Sequence, residues 1–454
     1  MHSIWAIATN TIKQALRMKI AAIFVVLLLV LLPVMGATLT GDGTLKGRLQ
    51  TFISYGLSLT GFLLCLLTII ISIYSITSDI EQKQIYTVIT KPIRRFQLLF
   101  GKLLGVVLLD VVLLLLFSAI IYGITLYLPE FYNTTETELK QVKNEFYTAR
   151  ANLKPLEADV SREVDEIYNK LKEMGQLPED ILPKKFKAHL TTIKKLEKRA
   201  AGVGHELLWE FDDVKPVDPN ESLFIRFKYN VSINPLDSQV YGRWVVGDYQ
   251  YIKYGVEGKT PIYDRILKHS VQIFHEIEVP ANVVPKDGHL AVGFINVPLN
   301  NTVIIFPLED GLEVLYKADT FTGNFLRAVL LILFRLIFLA CLGILAASFL
   351  SFPVAVLLCL VIFSTASFSG FCLESFDFLS EDLGNVYHYT VRPVILLLPQ
   401  FDKFNPTKFL VPGQLLSWFL LARVAFSVVC IKAVLLLLLA LLIFSFREIA
   451  KIII

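Results

Sequence analysis

The chain has 454 residues, 54% hydrophobic and only 18% charged, with 43 Lys+Arg against 40 Asp+Glu for a net charge of +3. Soluble domains run at roughly 45–50% apolar and about 25% charged, so this composition disfavours a soluble enzyme, a disordered tail or a nucleic-acid binder. The apolar residues are unevenly spread, which predicts a membrane protein with a water-soluble part.

Residues 1–19 contain the basic amphipathic stretch WAIATNTIKQALRMK, suited to lie in a membrane interface. Six stretches reach the ~20 apolar residues that a spanning helix needs: about 20–38, 57–76, 103–126, 325–349, 352–371 and 415–446. The first three fall in a region 20–128, with a polar connecting segment at 77–101. The last three fall in 323–454, with a loop at 373–413. Lys13, Arg17 and Lys19 precede the first span, Lys83, Lys91, Arg94, Arg95 and Lys102 flank the second loop, and Arg447 and Lys451 follow the sixth span. This bias predicts a multi-pass protein of the cell membrane with both termini cytoplasmic and residues 129–322 extracytoplasmic.

Within that exterior insert, Leu139, Val142, Phe146, Ala149, Leu153 and Leu156 follow a helical spacing, resumed at Val164, Ile167, Leu171 and Met174. Pro155 is expected to kink this arm or to start a second helix. A basic helix over 184–199 completes a helical hairpin across 129–204. From 205 to 322 the period changes to two. Strands are expected at 222–232, 240–246, 270–279, 290–297 and 302–306, which predicts an antiparallel β-sandwich. The fold class is therefore a six-helix membrane protein with an inserted α+β domain. Trp209, Tyr241, Trp244, Tyr249 and Tyr251 read more readily as core than as a surface for a glycan or an envelope protein, the two candidate partners of such a sandwich.

Catalytic chemistry is not visible. Gly258-Lys259-Thr260 ends like a phosphate-binding loop, but Lys253 stands where its first glycine belongs. His269 and His275 share a predicted strand, too far apart for adjacent ligation, and no carboxylate or cysteine completes a metal set. All five cysteines lie in or beside the spans, so no disulfide framework is expected in the insert. Sequons begin at Asn133, Asn220, Asn230 and Asn300. Charges inside the spans are costly and usually pair. Arg327 and Arg423 are placed to snorkel, and Asp110 is expected to pair with Arg335 or Lys432.

The 77–101 segment carries the sharpest pattern. It opens on Asp79, Glu81 and Lys83, presents Ile80, Ile85, Val88 and Ile89 as an apolar stripe, breaks at Pro92-Ile93-Arg94-Arg95 and re-enters the third span through Gly101-Lys102. In this order, with the leading amphipathic helix, six spans, Phe401–Pro406 before the last span and the Phe446-Arg447-Glu448-Ile449 end, the chain resembles the permease subunits of type-2 ABC exporters. The resemblance implies a coupling helix at Asp79, Glu81, Lys83, Ile85, Val88, Pro92, Arg94 and Arg95 that docks on a separate cytoplasmic ATPase subunit. It implies ATP and Mg bound in that partner and no cofactor in this chain. A second permease subunit, identical or similar, and membrane lipid are the other implied partners. The large insert departs from the family's commonest form, which leaves substrate open. It also leaves room for a mechanotransmission protein that moves its exterior domain without passing a solute, or for a membrane-anchored receptor or scaffold.

Overall fold

A computed structural model describes residues 2–81, 94–132, 134–177, 183–216, 222–255, 260–308, 310–376, 387 and 389–446. The chain divides into two compact units, one formed by 1–148 with 321–454 and the other by 149–320.

The first unit is helical. Its elements are α1 (His2–Leu16), α2 (Lys19–Thr38), α3 (Leu45–Glu81), α4 (Arg95–Tyr127) and α5 (Glu136–Glu145), followed after the second unit by α9 (Phe321–Phe349), α10 (Phe352–Phe376), α11 (Val391–Leu397), α12 (Thr407–Leu410) and α13 (Trp418–Phe446). Six of these, α2, α3, α4, α9, α10 and α13, are long and apolar enough to cross a membrane. They differ in what covers them. In its most apolar stretch α3 is 72% buried and α9 67%, whereas α2, α10 and α13 are 22%, 28% and 17% buried. The outer helices thus expose continuous apolar faces such as Leu435, Leu438 and Leu442 on α13, far more than a soluble surface tolerates. The third helix begins at Leu45, a dozen residues before the expected span. Gly47 and Gly56 of that extension are buried beside Leu49, Phe52 and Ile53, and hydropathy does not register packed glycines.

The second unit holds β1 (Thr148–Leu153, crossing the boundary), α6 (Ser161–Glu173), α7 (Pro183–Glu197), β2 (Ala200–Ala201), β3 (Glu206–Phe211), β4 (Ser222–Phe227), β5 (Asn230–Val231), β6 (Gln239–Asp248), α8 (Tyr249–Tyr254), β7 (Tyr263–Ser270), β8 (His275–Pro280), β9 (Leu290–Asn296), β10 (Ile304–Ile305) and β11 (Leu312–Thr320). They form separate sheets in the orders β1-β11-β4-β8, β2-β10-β5 and β3-β9-β6-β7. Alternation drives the pairing. Along β4, Leu223, Ile225 and Phe227 are buried and their neighbours are not, and Phe227 lies opposite His275 and Leu312. The inward residues meet in one aromatic core. Trp244 lies 4.4 Å from Phe227 and 4.9 Å from Phe294 by ring centroids, and Trp209 lies 4.9 Å from Phe306. Trp209 and Trp244 are buried there, Tyr249 is buried beside Tyr254 and His289, Tyr241 is half-buried, and Tyr251 is exposed.

Three expectations for the insert are corrected. Residues 148–153 form a strand rather than the middle of a helical arm. Arg150 and Asn152 point to Glu276 at 3.2 Å and Glu313 at 2.9 Å, so sheet pairing overrides the local 3–4 spacing, and Pro155 follows a strand rather than kinking a helix. The helical pair that does form is α6 against α7, joined by Lys187–Asp165 at 2.7 Å and Lys198–Glu163 at 2.8 Å. The strand expected at 270–279 is instead the end of β7, a turn with Gln272 at φ 65°, and β8 from His275.

Candidate functional site

The notable side chains of the helical unit gather at the end where α3 stops and α4 starts. Glycines make this end possible. A methyl group on Gly105 would lie 2.7 Å from the Ala8 carbonyl, and one on Gly101 would lie 2.8 Å from Ile7 Cβ. Helix α1 therefore seats its small buried face, Ala8, Thr11 and Ala15, directly on a Gly-x-x-x-Gly groove of α4. The amphipathic helix is a packed part of the bundle on one face, while Trp5 and Leu16 remain exposed on the other.

Across the groove, Lys102 of α4 forms a buried ion pair with Asp79 of α3 at 2.5 Å and also donates to the Ser75 carbonyl at 2.5 Å. Gln14 of α1 donates to Ser78 at 2.5 Å. Arg95 donates to the Phe444 and Ser445 carbonyls of α13 at 2.9 and 2.5 Å, where a cation also meets the negative helix end. Four helices are thus tied around the two ends of the 82–93 segment. Of the residues assigned to coupling, Asp79 is buried in the ion pair, Arg95 is exposed and bonded to α13, and Glu81 and Arg94 are exposed. Lys83, Ile85, Val88 and Pro92 lie outside the described residues. Lys102 belongs to this site, although in sequence it reads as an ordinary flanking lysine.

The charges deeper in the bundle do not pair as expected. Arg335 donates to the Phe401 carbonyl at 3.1 Å, with its guanidinium 4.8 Å from the Phe401 ring. Lys432, in the π-helical stretch Ala425–Ala433, donates to the Leu396 and Leu398 carbonyls at 3.2 and 2.7 Å. Arg327 is buried rather than snorkelling and donates to the Leu416 carbonyl at 2.8 Å, while Arg423 is exposed. Asn324 adds bonds to Gln414 O and from Leu416 N at 2.7 and 2.8 Å. The physical reason is common to all. Between α11 and α13 the backbone is largely irregular, its carbonyls lack helical donors, and Arg327, Arg335 and Lys432 supply them. Asp110 is left with Thr68, 2.9 Å away.

Where the chain passes between the two units, rings of the helical unit cluster. Phe146 and Tyr147 lie 5.6 and 5.5 Å from Phe321, and Tyr147 donates to the Thr125 carbonyl of α4 at 2.6 Å. The departing and returning segments are thereby fastened to α4 and α9 together.

In the sheet unit, His269 and His275 lie 4.6 Å apart by ring centroids, a correction to their expected separation. The turn at 271–274 folds β8 back beside β7. Burial and, secondarily, His275 push the His269 imidazole down to about 4. Among the described residues no group of three or more His, Cys, Asp or Glu side chains is arranged to hold a metal. Asn300 is buried, bonded to Tyr241 and Asn296, so its sequon is a structural asparagine, whereas Asn230 is exposed. No protein-family model, curated protein or solved structure matches the chain.

Proposed function

We propose that the chain is the membrane subunit of an ABC exporter, set in the cell membrane by six helices with both termini cytoplasmic and residues 129–322 outside. The observation that carries this reading is the bracing around the 82–93 segment. That segment joins two long apolar helices, and its two flanks are locked to one another by Asp79–Lys102, to α1 and to α13. A push delivered between residues 81 and 94 is therefore passed to four helices instead of being absorbed by a slack loop. A coupling element needs this property. ATP hydrolysis is assigned to a separate cytoplasmic subunit that binds ATP and Mg, and a second permease subunit would complete the path.

Co-purification with an ATPase subunit tests the assignment. Altering Glu81, Ile85 and Arg94 singly is expected to release that subunit, and its retention in all three variants sinks the coupling reading. Mechanotransmission is favoured by a different observation, the aromatic clamp of Phe146, Tyr147 and Phe321 on α4. Any tilt of α4 there reaches residues 148 and 321 together, the two points where the chain enters and leaves 149–320. Vesicle transport by the assembled complex separates the two: ATP-driven solute movement supports export, and ATPase activity without it supports mechanotransmission.

A further inference from the structure

Asp110 sits midway along α4, 1% exposed. Among the described residues no cation lies within ion-pair distance of it. Arg335 of α9 and Lys432 of α13 are turned to backbone carbonyls, and Lys102, two turns along α4, is held by Asp79. The other ionisable group near it is Cys65 of α3, one turn from Thr68. The Asp110 Oδ2 atom is buried and has no hydrogen-bond partner among the described residues.

The remaining contacts allow a count of hydrogens. Thr68 Oγ1 lies 2.8 Å from the Leu64 carbonyl oxygen and 2.9 Å from Asp110 Oδ1. Two full-strength hydrogen bonds at those lengths take two hydrogens between three oxygens, and the threonine hydroxyl has only one to give or to split between them. With an ionised carboxylate, the two contacts share a single hydrogen and both are weakened, and a full charge stands on a buried group with one donor at most. That arrangement is costly in a membrane interior. With a neutral acid both contacts close: Asp110 donates to Thr68, and Thr68 donates to Leu64.

We propose that Asp110 is a proton-binding site, holding one proton as a neutral acid in the packed seam between α3 and α4. The inference rests on the membrane reading only for the absence of water around the seam. Proton binding and closure of the seam are then one equilibrium, since loss of the proton leaves an unpaired buried charge that opening and hydration would relieve.

The test is infrared spectroscopy of the full chain in alkyl maltoside micelles, which lack ester carbonyls, at neutral pH. The difference spectrum of wild type minus Asp110→Asn is expected to contain the carbonyl stretch of a protonated carboxyl, displaced when aspartate is labelled with carbon-13 at the side-chain carboxyl. Thr68→Val removes the acceptor and is expected to shift that band to higher frequency. This second variant decides the matter on labelled protein if Asp110→Asn does not fold. Carboxylate bands alone in the difference, or a protonated band unmoved by Thr68→Val, overturn the proposal. Recovery of the chain in the aqueous phase without detergent would instead strike the membrane reading, an outcome that no infrared result mimics.

Discussion

Asp79 and Asp110 lie on the same helix–helix seam and meet burial in opposite ways. Asp79 is held by Lys102 at 2.5 Å, and that lysine is itself anchored to the Ser75 carbonyl. Among the described residues, Asp110 meets a neutral hydroxyl and no cation. A buried pair has already met its desolvation cost in mutual attraction, so the harm comes from removing one member. A lone acid avoids that cost by keeping its proton, so exchanging it for a neutral amide changes little. The seam thus carries a brace where α3 ends and α4 begins and, further along α4, a buried acid with no such brace.

The brace should give the largest effect. Lys102→Met leaves Asp79 buried without a partner, and a loss of about 3 kcal/mol is expected, read as a lowered thermal midpoint of the full chain in detergent. Adding Asp79→Leu should restore most of that loss, because a matched apolar pair carries no unpaired charge. A double variant no better than the single one would show that the pair does more than neutralise itself.

The groove beside the brace comes next. Gly105→Leu forces a side chain to within 2.7 Å of the Ala8 carbonyl at its Cβ alone, and overpacking of this kind costs about 1–3 kcal/mol. Because the clash acts on α1, amide exchange should accelerate in peptides from 2–16 while α9 stays protected. Uniform acceleration across the bundle would mean that α1 is not a separable clasp.

How far such features are visible in the residues depends on what holds them. The six long helices are visible because each is a long, nearly unbroken apolar run, and β4 and β6 because alternating burial writes itself into residue type. The small-residue face Ala8, Thr11, Ala15 and its groove Gly101, Gly105 are also written in the chain, at helical spacing, but no hydropathy rule reads them. The strand at 148–153 was hidden because TARANL takes its pairing from β11, more than 150 residues away. Pairing of Asp110 with Arg335 was a sound expectation from charge alone. It failed because the carbonyls of 396–416 compete for the cations, and irregular backbone has no signature in a list of charges. The approach of His269 to His275 likewise depends on one left-handed turn at Gln272.

That histidine pair sharpens the comparison in the sheet unit, where burial also keeps a titratable group neutral. The unfolded chain takes up a proton at His269 near 6.5, and the folded one only near about 4. Between those values the unfolded state binds more protons, so stability falls as pH is lowered through the window and the contribution is intact above 6.5. The expected loss is about 1–3 kcal/mol, read as faster amide exchange in β7 and β8 of the full chain. His269→Leu should flatten the pH dependence, and an unchanged profile would place its origin elsewhere.

The smallest expected effect is the most discriminating. Asp110→Asn replaces one neutral group by another of the same shape, and its amide can donate to Thr68 as the acid does. The change in stability should stay within about 0.5 kcal/mol. Asp79→Asn, the same substitution on the same seam, strips Lys102 of its partner and should cost several-fold more. Both variants measured side by side by thermal unfolding in one detergent make the comparison quantitative. Equal losses would mean that Asp110 is charged in the folded chain and paired in a way the Thr68 contact does not reveal. A large loss at Asp79 with almost none at Asp110 is the result that two differently solved burials demand, because only the first leaves a charge behind.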